Sequence, residues 1–183
     1  MFSYMKVIVG PMYAGKTTEM MKLYNECKTS KLYCKFTLEI SEKPIKKNIS
    51  NHGKEEVEGY TVNTFEQMIP LAKDAETIFM DELQFAQDWE KFSLLVRDKK
   101  VYISGLDMDF RGQPFKNMAD LLCYATEIHK CHGVCPKNHP TEFTWKDPDV
   151  NFEGNLHESD SPFQPICRQC FYKGLTPCNV LNK

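Results

Sequence analysis

The chain has 183 residues and a formal net charge of −2, and 42% of it is hydrophobic, with twelve Phe and eight Tyr. That is enough apolar side chain for a packed core, which excludes a disordered chain, and the charge balance gives no general attraction to nucleic acid. No stretch reaches the roughly 20 apolar residues that span a bilayer, and the N-terminus lacks a signal-peptide pattern, so the expected setting is the cytoplasm, with no membrane or nucleic-acid partner.

In chain order, residues 5–9 (Met-Lys-Val-Ile-Val) form a short β-rich run that stops at Gly10. Residues 16–27 read as a helix with Met20, Met21 and Leu23 on its apolar positions. Residues 32–38 are strand-like, and residues 41–58, polar and lysine-rich, read as a mobile loop. A helix is expected over 65–72, distorted or shortened by Pro70. Two further apolar runs, 77–80 and 101–104, end in Asp81-Glu82 and in Gly105-Leu106-Asp107. Short apolar strands alternating with helices predict an α/β fold, a parallel sheet flanked by helices. Ligands of such sheets lie beyond the C-terminal strand ends, where the clusters at Gly10, Asp81 and Gly105 all fall. Past residue 130 helical periodicity gives way to Pro, Asn, His, Cys and aromatic residues, so a small irregular subdomain is expected over 131–183, after a main domain over 1–130.

Gly10-Pro11-Met12-Tyr13-Ala14-Gly15-Lys16-Thr17 fits G-x-x-x-x-G-K-[ST] between a predicted strand and a predicted helix. Its glycines let several backbone N–H groups converge on one phosphate, and the helix presents its positive N-terminal end. Lys16 is then the contact for the β- and γ-phosphates of ATP, and Thr17 with Asp81 the Mg²⁺ pair. The bland alternative is a glycine-containing turn before an ordinary helix, with Asp81 a loop acid. Glu82 emerges at the same strand end as Asp81 and can serve as the base for an acceptor hydroxyl, or be a solvent-facing acid.

These residues resemble a known family. The P-loop, Asp81-Glu82-Leu83-Gln84-Phe85, the long block from Gly105 to Phe115 and Pro165-Ile166-Cys167-Arg168-Gln169-Cys170 are similar, in order, to the signature blocks of type II thymidine kinases. The resemblance implies a RecA-like P-loop domain with a zinc-held lasso domain. The implied reaction converts thymidine and ATP to thymidine monophosphate and ADP, in a homotetramer inhibited by thymidine triphosphate. It carries the general base onto Glu82 and an active-site amide onto Gln84. The nucleoside pocket falls on Met12, Phe85, Leu106, Phe110, Arg111, Phe115, Thr144 and Phe163. Ordinary core packing is the competing reading for these aromatics.

Eight cysteines without a signal sequence suggest reduced thiols or metal ligands. Cys167 and Cys170 make a C-x₂-C zinc-chelating turn, and Cys131 and Cys135 upstream are spaced C-x₃-C. The preferred set for one structural Zn²⁺ per chain is Cys131, Cys135, Cys167 and Cys170. His132 is the alternative to Cys131, and His129 and His139 are further candidates. Cys27, Cys34, Cys123 and Cys178 read as idle thiols. The family's Asp-x-Arg after the second strand has no counterpart in residues 39–52, where Glu42, Lys43, Lys46 and Lys47 are candidate substitutes, though a Lys does not reproduce the fork of an Arg. Two other readings compete: a different P-loop ATPase or nucleotide switch, and a zinc-ribbon module for nucleic acid.

Overall fold

The four strand-like runs of the sequence all enter one main sheet, with helices between most of its strands. The computed structural model describes residues 4–51, 53–135, 138–149 and 162–177. Its main sheet comprises β1 (Tyr4–Val9), β2 (Lys31–Phe36), β3 (Ile45–Ser50), β4 (Glu56–Val62), β5 (Thr77–Asp81), β6 (Lys100–Gly105) and β7 (Glu127–Lys130), in the order β3-β4-β2-β5-β6-β1-β7. Every neighbouring pair is parallel except the β3–β4 hairpin at one edge.

Successive side chains on a strand point to opposite faces, so a continuous apolar run feeds two cores. On one face Val7, Val9, Ile78, Met80 and Ile103 pack with Phe65 and Met68 of α2 (Phe65–Leu71), Leu95 of α3 (Phe92–Val96) and Met118 of α4 (Lys116–Leu122). On the other, Ile8, Tyr33, Phe79 and Tyr102 pack with Met20 and Met21 of α1 (Lys16–Glu26). Tyr33, Phe79 and Tyr102 are in register across three strands. Their rings stack at centroid distances of 6.2 and 4.8 Å.

Residues 41–58 are not a loop. Most of this stretch is the β3–β4 hairpin, whose lysines mark an exposed edge strand rather than an unstructured segment. Ile49 and Val57 turn inward to the α1-side core, and Lys46 pairs with Glu58 across the hairpin at 2.9 Å. The hairpin turn is tied to α1 through Asn51 Nδ2, which donates to Thr18 Oγ1 at 3.3 Å. The preceding loop is held by Asn63, whose amide donates to the Thr37 and Glu39 carbonyls and accepts from Ser41 N. Helix α2 is capped by Thr64, which accepts from Gln67 N, and it ends one residue after Pro70.

Beyond Lys130 the chain is more regular than its composition predicts. Strands β8 (Gly133–Val134), β9 (Pro140–Lys146) and β10 (Phe163–Cys167) form an antiparallel sheet, followed by α5 (Arg168–Tyr172). A third cluster of Cys135, Phe143, Ile166, Cys167 and Cys170 is its core. Among the described residues no helix is long and apolar enough to cross a membrane.

Candidate active site

The phosphate cradle forms where β1 gives way to α1. Gly10 has φ +148, and a Cβ there would sit 2.4 Å from the Cys131 carbonyl oxygen, so only glycine lets the loop pass this close to the segment after β7. Tyr13 (φ 60) and Gly15 (φ 83) complete the turn, with Pro11, Met12 and Ala14 between them, and Gly15 takes the N-cap position of α1. Lys16 is 7% exposed, and its Nζ donates to the Pro11 carbonyl at 2.7 Å. Burial pushes the Lys16 pKa down, and the carboxylates of Glu82 and Asp81 oppose that shift.

Asp81 ends β5 fully buried and is the hub of the site. The Thr17 hydroxyl donates to its Oδ2 at 3.1 Å, across 64 residues of chain. The Tyr33 phenol also donates to Oδ2 at 3.1 Å. Oδ1 accepts from the Ser104 hydroxyl and, at 3.0 Å, from Glu82 N. A carboxylate beside a hydroxyl, at the foot of a phosphate cradle, is the hard oxygen donor set that suits Mg²⁺.

Glu82 adopts a left-handed conformation (φ 56, ψ 40), which costs a side-chain-bearing residue about 1–3 kcal/mol and concentrates at functional sites. Its Oε2 accepts from Gln84 Nε2 at 2.6 Å, and Gln84 Oε1 accepts from Leu106 N at 3.0 Å. One amide therefore fixes both the candidate base and the start of the third block. The 3₁₀ turn that carries Gln84, Leu83–Phe85, is pinned by Asn117 Nδ2 of α4 to the Leu83 and Gln84 carbonyls.

The third block folds back on itself. Asp109 Oδ1 accepts from Arg111 N and Gln113 N at 2.8 and 2.9 Å, and Lys130 pairs with Asp107 at 2.9 Å. This loop meets the small sheet: the Phe110 and Phe163 rings lie 6.1 Å apart, and Lys146 Nζ stands 5.7 Å over Phe110. The Arg111 guanidinium lies over the same ring at 5.1 Å. Thr144, 3% exposed, accepts from Met12 N at 3.2 Å and joins the P-loop to β9. Met12 is thus bonded to Thr144, Leu106 to Gln84, and Phe110 meets Phe163 and Arg111. Phe85 and Phe115, both partly buried, pack against the main core.

Three candidate metal donors converge, two from the expected set and one, His139, from the further candidates. Ligand atoms of Cys135, His139 and Cys167 lie within 4.8 Å of one another. Cys170 adjoins them: burial alone would raise the Cys167 pKa, but hydrogen bonds from Cys170, His139 and Cys135 outweigh it and lower the thiol to about 6. Cys131 does not join the group. It packs with Ile8, Met20 and Met21 on the α1 side, its N–H bonded to the Val9 carbonyl at 2.7 Å and its thiol near Lys16. His132 is exposed. The cause is local: strand pairing continues to Cys131 as the chain leaves β7, and only the following turn carries it to the small sheet.

The thymidine kinase family model matches residues 3–171. The chain belongs to the thymidine kinase family. It is similar to a thymidine kinase of Chloroflexus aurantiacus, at 29% identity over 143 residues that cover 72% of each chain. It is also similar to a thymidine kinase of Bacteroides thetaiotaomicron, at 25% identity over 173 residues that cover 92% of this chain and 86% of that protein.

As a member of the thymidine kinase family the chain is an ATP-dependent phosphotransferase, and the mostly parallel sheet with its Cys/His cluster fits that fold. Of the stand-ins for the Asp-x-Arg pair, Lys46 and Lys47 belong to the edge strand β3, while Glu42 and Lys43 lie in the loop before it. His52 and Cys178 lie outside the described residues. Sequence reasoning missed Tyr33, Ser104 and Asn117: nothing in their local pattern separates them from ordinary strand and helix residues.

Proposed function

We propose that the chain transfers the γ-phosphoryl group of ATP to the 5′-hydroxyl of thymidine, with deoxyuridine as a second acceptor. The observation that carries this reading is the shared origin of metal carboxylate and base. Asp81, bonded to Thr17, and Glu82, the carboxylate acting most strongly on Lys16, leave β5 side by side. Thr17 would hold Mg²⁺ against the phosphates, with Asp81 accepting the Thr17 proton and acting on the cation from behind it, and the cation would spread the charge of the transferring group. Lys16 and the loop N–H groups orient the γ-phosphoryl group. Glu82, steadied by Gln84, accepts the proton of the 5′-hydroxyl. Thr144, Phe110 and Phe163 would enclose the base, with Met12, Leu106 and Arg111 beside them.

Cys135, His139, Cys167 and Cys170 would hold a structural Zn²⁺, with no open coordination position. Its work would be to fasten a segment whose own apolar core is small. The division at residue 130 is supported by the end of the seven-stranded sheet at Lys130 and the start of the small one at Gly133. A cytoplasmic homotetramer inhibited by thymidine triphosphate is the form that goes with this reading, and it rests on the family resemblance.

Incubation with ATP, Mg²⁺ and each of the four deoxynucleosides tests the proposal. Monophosphate is expected from thymidine and not from deoxycytidine or the purines. Thymine and cytosine carry opposite hydrogen-bonding groups at positions 3 and 4, and each buried polar group left unpaired costs about 1–3 kcal/mol. Equal phosphorylation of thymidine and deoxycytidine refutes it.

A further inference from the structure

We propose that Tyr33 and Ser104 are positioning residues for phosphoryl transfer: their buried hydroxyls lock the Asp81 carboxylate so that Thr17 presents lone pairs, not its proton, to the phosphate-bound cation. The proposal rests on the P-loop reading of Thr17 and Asp81. Tyr33 is 1% exposed and Ser104 0%, and each donates to Asp81.

The placement follows from the sheet. Tyr33 stands opposite Phe79, one two-residue step below Asp81 on the same face. Its phenol spans that step along the stacked row and ends at Oδ2, 3.1 Å away. Ser104 lies two residues beyond Tyr102 along β6, on the same face, and meets Oδ1 from the other side. With Glu82 N also on Oδ1, the carboxylate is gripped at both oxygens from β2, β6 and its own strand end.

A hydroxyl has one proton. The Thr17 proton is directed at Oδ2, so the oxygen's lone pairs face away from Asp81, where a cation can use them. If the carboxylate turns, that proton loses its acceptor and points into the cation site. A phenol keeps its proton at neutral pH, so Tyr33 remains a donor to Asp81.

Tyr33→Phe keeps the ring and its stacking and removes only the hydroxyl. Mn²⁺ titration of the ADP-bound protein, followed by electron paramagnetic resonance, is expected to show about five- to ten-fold weaker binding, the worth of one hydrogen bond. The Mg²⁺ concentration for half-maximal rate should rise in step, with KM for thymidine unchanged. Ser104→Ala should do the same, and Ser104→Thr should restore wild-type Mn²⁺ affinity. Unchanged Mn²⁺ affinity and Mg²⁺ dependence in folded Tyr33→Phe and Ser104→Ala overturn the proposal. Asp81→Asn separates the two readings: if it too leaves Mn²⁺ binding intact, the assignment of Asp81 to the cation fails, whereas loss in Asp81→Asn alone defeats only the role of the hydroxyls.

Discussion

Replacing His139 by Ala should strip the metal from this protein, and replacing Cys131 by Ala should not. Cys135, His139 and Cys167 converge within 4.8 Å, whereas Cys131 belongs to the packing beneath α1. Structural zinc contributes about 10–16 kcal/mol in small zinc-dependent folds, so one of four donors accounts for ~2.5–4 kcal/mol. That is about 10²–10³ in zinc affinity. Cys131→Ala removes one buried sulfur, a loss of about 1 kcal/mol, or roughly 2–4 °C in Tm for a chain of this size. Zinc per chain after dialysis against a buffered chelator, with thermal unfolding alongside, reads both numbers. The expected pattern is near-stoichiometric zinc in wild type and Cys131→Ala, and loss in His139→Ala and in the Cys167→Ala/Cys170→Ala pair. Zinc retained by His139→Ala but lost from Cys131→Ala would falsify the assignment.

Lys16→Ala should reduce transfer by at least ~10²-fold at saturating ATP, because positioning and charge neutralisation are most of the catalysis; near-normal turnover means the cradle has been misassigned. Glu82→Gln should bind both substrates and lose ~10²–10⁴ in rate by single-turnover assay, the usual worth of a positioned base. A loss below ten-fold contradicts that role. Phe163→Leu should weaken thymidine about three- to ten-fold, as expected for one lost aromatic pair, without making deoxycytidine a substrate. Acceptance of cytosine by this variant would show that the ring itself selects the base.

The legible parts of the chain were those with local causes. The P-loop needs glycines, a lysine and a threonine at fixed spacing, so Gly10 to Thr17 announce themselves, and β5 and β6 are short apolar runs because both faces are buried. Strand β3 was illegible because its side chains are almost all exposed, so nothing but pairing with β4 makes it a strand. His139 drew attention only as a spare candidate, because spacing favoured cysteine pairs; the C-x₃-H step from Cys135 was the available signal. Tyr33 and Ser104 were invisible for a deeper reason. Their role exists only once β2, β5 and β6 lie side by side, and the residue they serve is 48 and 23 positions away.

The place of β1 in the sheet has a consequence for how the chain is made. The strand that carries the phosphate loop sits between β6 and β7, pairing Tyr4 with Lys100 and Lys6 with Glu127. At about 5–20 residues per second, synthesis leaves β1 unpartnered for on the order of ten seconds after it emerges. Throughout that interval Val7, Ile8 and Val9, all buried in the finished protein, present a bare apolar strand with two open edges. The β2–β4–β5 half of the sheet can zip up in the meantime, since its pairings are closer in sequence. A ribosome stalled before β6 therefore displays a half-sheet with an unmatched N-terminal strand, a natural target for chaperones that hold nascent chains and the stage at which this protein is most exposed to aggregation.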